Sequence, residues 1–178
     1  MDTVIRPSAA ADLPAITEIY ADAVVHGTAS FELEPPNARE IAGRRAALVD
    51  GGFPYLVAER DTAVLGYAYA GPYRTRPAYR FTVEDSVYVA RSAHGRGVGR
   101  ALLSALIETS EMRGFRLMVA VIGDKASTAS IRLHESLGFT SVGVLEPVGY
   151  KHGRWLASVL MQRVLGEGAA TPPTGPTP

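Results

Sequence analysis

Six residues in a row, His94-Gly95-Arg96-Gly97-Val98-Gly99, carry the densest chemical signal in the sequence. They follow an alternating segment at 81–89 and precede a helical pattern with Leu102, Leu103, Leu106 and Ile107 on one face. A strand that enters a glycine turn and then a helix gathers unpaired N–H groups and about half a positive charge at one point, a seat for phosphate oxygens. Glycine lets the backbone press against such oxygens with no side chain between. Arg96 and Arg100 add positive charge. Standard nucleotide motifs do not fit. A dinucleotide fingerprint starting at Gly95 needs glycine at 100, which is Arg100, and the Gly-Lys-Ser/Thr of a Walker loop is absent. Alternate glycines alone read equally well as a tight strand-to-helix turn.

Strand 81–89 also carries a candidate base. Thr82, Glu84, Ser86 and Tyr88 share one face, and Phe81, Val83, Asp85, Val87 and Val89 the other. Glu84, just upstream of the turn, could accept a proton from a nucleophile; a solvated glutamate is the plain alternative. Asp85 interrupts an apolar face, and the sequence offers no reason for it. Before the strand, Arg74 and Arg76 stand among Tyr69, Tyr73 and Tyr79. Guanidinium forks grip carboxylates by paired hydrogen bonds, and aromatic walls suit a short aliphatic stem; an exposed charged loop is the alternative. The four histidines, at 26, 94, 134 and 152, show no i, i+4 pairing, and there is no cysteine, so no metal site is expected.

Elements to hold these residues are legible along the chain. Strands are expected at 4–6, 55–60, 64–73, 81–89, 117–122, 140–148 and 155–163, and helices at 12–26, 38–49, 98–113 and 130–137. The order βααβββαβαββ describes one layered α/β domain over residues 1–165. From Gly166 to 178, Gly, Ala, Thr and Pro dominate, and a disordered tail is expected. At 178 residues a single core can bury roughly 70% of the unfolded surface. With 18 basic and 18 acidic residues, neither nucleic acid nor an anionic membrane is an expected partner. No apolar run approaches the ~20 residues of a membrane span, and the first residues lack signal-peptide order. A cytoplasmic protein is expected.

Several segments together resemble one family. They are Ala70-Gly71-Pro72-Tyr73, Ala78-Tyr79, Thr82-Val83-Glu84-Asp85-Ser86-Val87-Tyr88-Val89, residues 131–139 (IRLHESLGF) and residues 149–155 (GYKHGRW). With the glycine turn they resemble the GNAT N-acetyltransferases, and within them the phosphinothricin and methionine sulfone or sulfoximine N-acetyltransferases. The resemblance implies a mixed, mostly antiparallel sheet flanked by helices, acetyl-CoA as co-substrate, and a small amino-acid-like amine as acceptor. It makes Glu84 the general base and the amide of Tyr88 or Val89 the oxyanion donor. His134 takes the place of a tyrosine that protonates the leaving thiolate, as general acid or as a polar wall of the site; a satisfied helix histidine packed near the core is the plain alternative. Cofactor contacts fall on Val87, Tyr88, Val89, the turn from His94 to Arg100, Ser127 and Ser130; substrate contacts fall on Phe31, Tyr69, Arg74, Arg76 and Tyr79. A homodimer is implied as well. Two positions depart from the family pattern: His94 replaces a Gln or Arg, and Ser127 replaces an asparagine that holds the pantetheine arm. The rival reading is a non-catalytic acyl-CoA-binding module, which would keep the turn and need no base.

Overall fold

Apolar and β-branched runs draw seven segments into one sheet, seen in a computed structural model that describes residues 3–173. The strands are β1 (Val4–Pro7), β2 (Tyr55–Arg60), β3 (Ala63–Pro72), β4 (Thr82–Val89), β5 (Leu117–Gly123), β6 (Thr140–Lys151) and β7 (Arg154–Val164). Their order is β1-β2-β3-β4-β5-β7-β6. All pairs are antiparallel except β4 with β5. Helices α1 (Leu13–His26), α2 (Ala38–Asp50), α3 (Val98–Met112) and α4 (Thr128–Glu135) cover the sheet. Asn37 starts α2 by accepting the Glu40 N–H at 3.0 Å, and Pro14 sits in the first turn of α1, where its missing donor costs little.

The alternation along each strand divides the core in two. Leu102, Leu103 and Leu106 of α3 close over Val83, Met118, Phe115 and Met161 on one face. On the other, Ile16, Tyr20 and Val24 of α1 pack on Val57, Tyr67 and Tyr88. Burial of such side chains at about 25 cal/mol per Å² is the main stabilising term on both faces. β4 feeds both cores, so its register fixes which residues look which way.

The two central strands pair only from Thr82↔Leu117 to Glu84↔Val119. Beyond that point they part. β4 stays paired with β3 as far as Val89, and β5 with β7 as far as Gly123. A wedge therefore opens in the middle of the sheet. Its edges follow from the ladder: Tyr73 donates to Thr82 O and Ala90 donates to Leu65 O, so the even-numbered residues of β4 turn their peptide groups to β3. The odd ones, Val87 and Val89 among them, turn theirs into the wedge.

Several boundaries differ from the sequence expectation. β6 and β7 run longer than expected and meet with register shifts at Ser141/Gly143 and Leu145/Gly149. α4 begins at Thr128 rather than 130. Short 3-10 turns at Ala10–Asp12, Pro77–Tyr79 and Arg91–Ala93 were not foreseen. Within the expected tail, residues 166–170 form turns, with Glu167 3.4 Å from the Arg116 guanidinium; residues 174–178 lie outside those described.

Candidate active site

The glycine turn has the geometry of an anion seat. Gly95 and Gly97 hold φ of +71° and +78°, conformations that L side chains rarely adopt, and a Cβ at either would meet nothing within 4 Å. The first helical bond after the turn runs from Ala101 N to Gly97 O at 3.0 Å. The N–H groups of Val98, Gly99 and Arg100 thus have no partner within α3, and no side chain caps the helix. His94 donates from Nε2 to Val89 O at 2.9 Å, which ties the turn to the end of β4. Arg100 is steered along the rim by donating to Ser136 Oγ at 2.6 Å.

A groove of about 670 Å³ runs from this turn to the wedge, within the range of small-molecule sites. Of the twelve residues expected to hold a cofactor, only Arg96 does not line it. Ser127 and Ser130 reach it from the start of α4. The Ser127 hydroxyl donates to Gly123 O at 2.6 Å, so it offers a ligand its lone pairs rather than its proton. Of the two amides the resemblance offered as oxyanion donor, the Tyr88 N–H faces β3 and the Val89 N–H faces the open side.

At the apex of the wedge a smaller cavity of about 70 Å³ is lined by Asp85, Val87, Ser127, Ser130 and His134, among others. His134 is buried, and both its ring nitrogens are engaged. Nδ1 donates to Ser130 O at 2.7 Å, and Nε2 lies 3.1 Å from Asp85 Oδ2. Phe139 meets the ring edge-on with centroids 4.9 Å apart. Burial disfavours a charged ring, yet the Asp85 hydrogen bond and charge and the Ser130 carbonyl outweigh it, so the imidazole stands above its ordinary value. Here is the reason for the aspartate that breaks the apolar face of β4. Sequence reasoning missed Asp85 because its partner lies 49 residues away; the broken alternation was the available signal.

Glu84, next to it in the chain, projects to the opposite face and lines neither cavity. It is half-buried. Burial pushes its carboxyl up from the ordinary glutamate value, the Asp85 charge adds to this, and Arg74 pulls the other way. Tyr69 lies on the same face, opposite Ser86 in the β3–β4 ladder. Arg74 lies 4.5 Å over the Tyr73 ring, and Tyr79 meets Tyr73 edge-on at 5.8 Å. Arg76 is exposed at the start of the 77–79 turn. Of the arginine–aromatic cluster expected from the sequence, Arg74 is thus near Glu84 and Tyr73 and Tyr79 gather at Arg74, while Arg76 stands exposed.

Phe31 lies against β5 and β6. A Cβ on Gly149 would lie 2.5 Å from its ring, and one on Gly123 would lie 1.9 Å from Thr28 O. Lys151 holds the same loop. It is 4% exposed, with Nζ donating to Ser30 O at 2.7 Å. Among the described residues no group of three or more His, Cys, Asp or Glu could hold a metal ion.

The acetyltransferase (GNAT) family profile matches residues 13–139. The chain is 56% identical over 162 residues to phosphinothricin N-acetyltransferase of Alcaligenes faecalis, covering 91% of this chain and 82% of that protein. It is 44% identical over 169 residues to L-methionine sulfoximine/L-methionine sulfone acetyltransferase of Salmonella typhimurium, covering 93% and 96%. Among solved structures, a GNAT superfamily phosphinothricin acetyltransferase from Sinorhizobium meliloti, in complex with acetyl-CoA, superposes with a TM-score of 0.95 at 49% identity, covering 98% of this chain and 94% of that one.

Proposed function

The chain belongs to the acetyltransferase (GNAT) family, and from that premise we propose that it moves an acetyl group from acetyl-CoA to the amine of a small amino-acid-like substrate of the phosphinothricin, methionine sulfone or methionine sulfoximine kind. The observation that carries the reading is the continuity of one groove from the uncapped start of α3 to the open edge of β4. Acetyl-CoA, when bound, supplies the activated acyl group; the chain supplies position, a base and hydrogen bonds. The amides of Val98, Gly99 and Arg100, with the Arg100 guanidinium, suit the diphosphate. Peptide groups of Val87 and Val89 on one edge of the wedge and of Val121 and Gly123 on the other suit an amide-bearing arm threaded between the strands. The Val89 N–H serves as the donor to the carbonyl oxygen on which charge develops.

Glu84 is the base that takes the proton from the amine. A carboxyl pushed up by burial is better matched to that work near neutral pH than an exposed one. Arg74 and Arg76, beside Tyr69 and Tyr79, grip the acidic end of the substrate. Attack is direct, with no acyl group resting on the protein. Pairing of two chains is supported by an apolar surface on the outermost strand pair, where Val142, Val144, Leu145, Val148, Tyr150 and Trp155 are all exposed.

The test is release of CoA thiol on mixing the protein and acetyl-CoA with amino acids and their sulfone, sulfoximine and phosphinate analogues. Release with at least one of these amines is expected. Binding of CoA with no thiol release from any amine would favour the acyl-CoA-binding module instead.

A further inference from the structure

We propose that Asp85 is a positioning residue for acid catalysis: it holds a second proton on His134, at Nε2, at the apex of the wedge where the thiol of CoA departs. The inference rests on the acetyl-transfer reading and adds to it the residue that makes the acid an acid. Its starting point is the hydrogen-bond inventory. A backbone carbonyl only accepts, so Ser130 O fixes a proton on Nδ1 of His134. A neutral ring would then turn the lone pair of Nε2 toward a carboxylate oxygen 3.1 Å away. Two acceptors do not face each other in a buried site, so a proton lies between Nε2 and Oδ2. His134 is also in the last turn of α4, where the helix end favours a cation.

Asp85 has little other employment. Its side chain is about 3% exposed, and Oδ1 is a buried oxygen with no hydrogen-bond partner among the described residues. An apolar residue would fill that face of β4 at lower cost. Asp85 is the one charged group found to act on the ring; β5 presents Ala120 and Ile122 at the cavity, and the turn after α4 presents Phe139. Glu84 lies on the other face of β4 and feels Asp85 only as a nearby charge.

The proton accounting closes. As the C–N bond forms, the amine proton passes to Glu84. As the C–S bond breaks, its electron pair stays on sulfur, and the proton held between Nε2 and Asp85 Oδ2 leaves that hydrogen bond for the sulfur; the ring keeps its Nδ1 proton, and the Asp85–His134 pair is later recharged from solvent. Adjacent residues of one strand thus divide the two proton tasks, one on each face of the sheet.

The test is the pH dependence of kcat for the wild type, Asp85→Asn, His134→Gln and the double variant, with acetyl-CoA and an accepted amine. Asp85→Asn should lower kcat at neutral pH by about a hundredfold, leave the acetyl-CoA KM nearly unchanged, and move the alkaline limb to lower pH while the acid limb stays. His134→Gln should cost as much, and the double variant no more than either. An unmoved alkaline limb, or losses that multiply, would overturn the proposal. Nitrogen NMR of the imidazole in the wild-type protein decides even where a variant does not fold: protons on both ring nitrogens at pH 7 are expected, and a neutral ring refutes the pair. That readout also stands if the wild type acetylates no amine, so failure of the broader reading and failure of this one are told apart.

Discussion

Replacing Gly97 and Gly99 with alanine, one at a time, separates what the turn does for folding from what it does for binding. Gly97 has φ +78° and open space where a Cβ would go, so alanine meets no clash and suffers only the backbone cost. That cost is about 1–2 kcal/mol for a left-handed L residue, offset by up to about 1 kcal/mol from a stiffer unfolded chain. A net loss near 1 kcal/mol lowers Tm by roughly 2–4 °C in a chain of this size. Gly99 differs. It lies inside α3, and its added methyl would sit 3.5 Å from Leu133 and 3.6 Å from Val89, ordinary contact distances. Alanine there gains up to about 1 kcal/mol of helix propensity, so Tm should hold or rise. Binding should run differently from stability. The methyl at 97 projects into space a diphosphate would fill, and a tenfold weaker Kd for CoA, about 1.4 kcal/mol, is expected by calorimetry. A Gly97→Ala protein that melts higher than wild type, or binds CoA equally well, refutes the reasoning about this turn.

Glu84→Gln should lower kcat by roughly 10²–10⁴-fold while leaving the Kd for CoA unchanged, measured by thiol release and calorimetry. The same variant tests the raised carboxyl. A folded-state value above the unfolded one makes the ionised form a burden on the fold, so wild type and variant should be equally stable at pH below about 4. The variant should gain as pH rises through the unfolded and then the folded value, and hold that advantage above it; equal denaturation midpoints across the range would contradict the shift. Arg76→Ala should raise the KM for the amine more than that for acetyl-CoA, and the reverse would assign the 74–80 loop to the cofactor.

What could be read from the sequence was local. The alternation of β4, the turn and the inner face of α3 are each set within a dozen residues, so eleven of the twelve positions expected to hold a cofactor line one groove; Arg96, in the same turn, does not line it. The wedge could not be read, because where β4 and β5 part depends on the pairing of strands far apart in sequence. Asp85 and Lys151 share that difficulty. Each is a charged residue whose burial depends on a partner brought by another element, Ser30 in one case and His134 in the other. The length of β6 was hidden for a different reason: its apolar side chains remain exposed, so no inward-outward pattern marks its far end.

The aromatic ring at position 31 occupies a slot made by two missing side chains, and those two absences are not interchangeable. At Gly123 any added carbon runs into main chain that cannot yield, whereas at Gly149 it runs into the edge of a ring that can swing aside. One glycine is thus a fixed wall and the other an adjustable stop, so the breadth of this region can be redesigned without altering a single charged group.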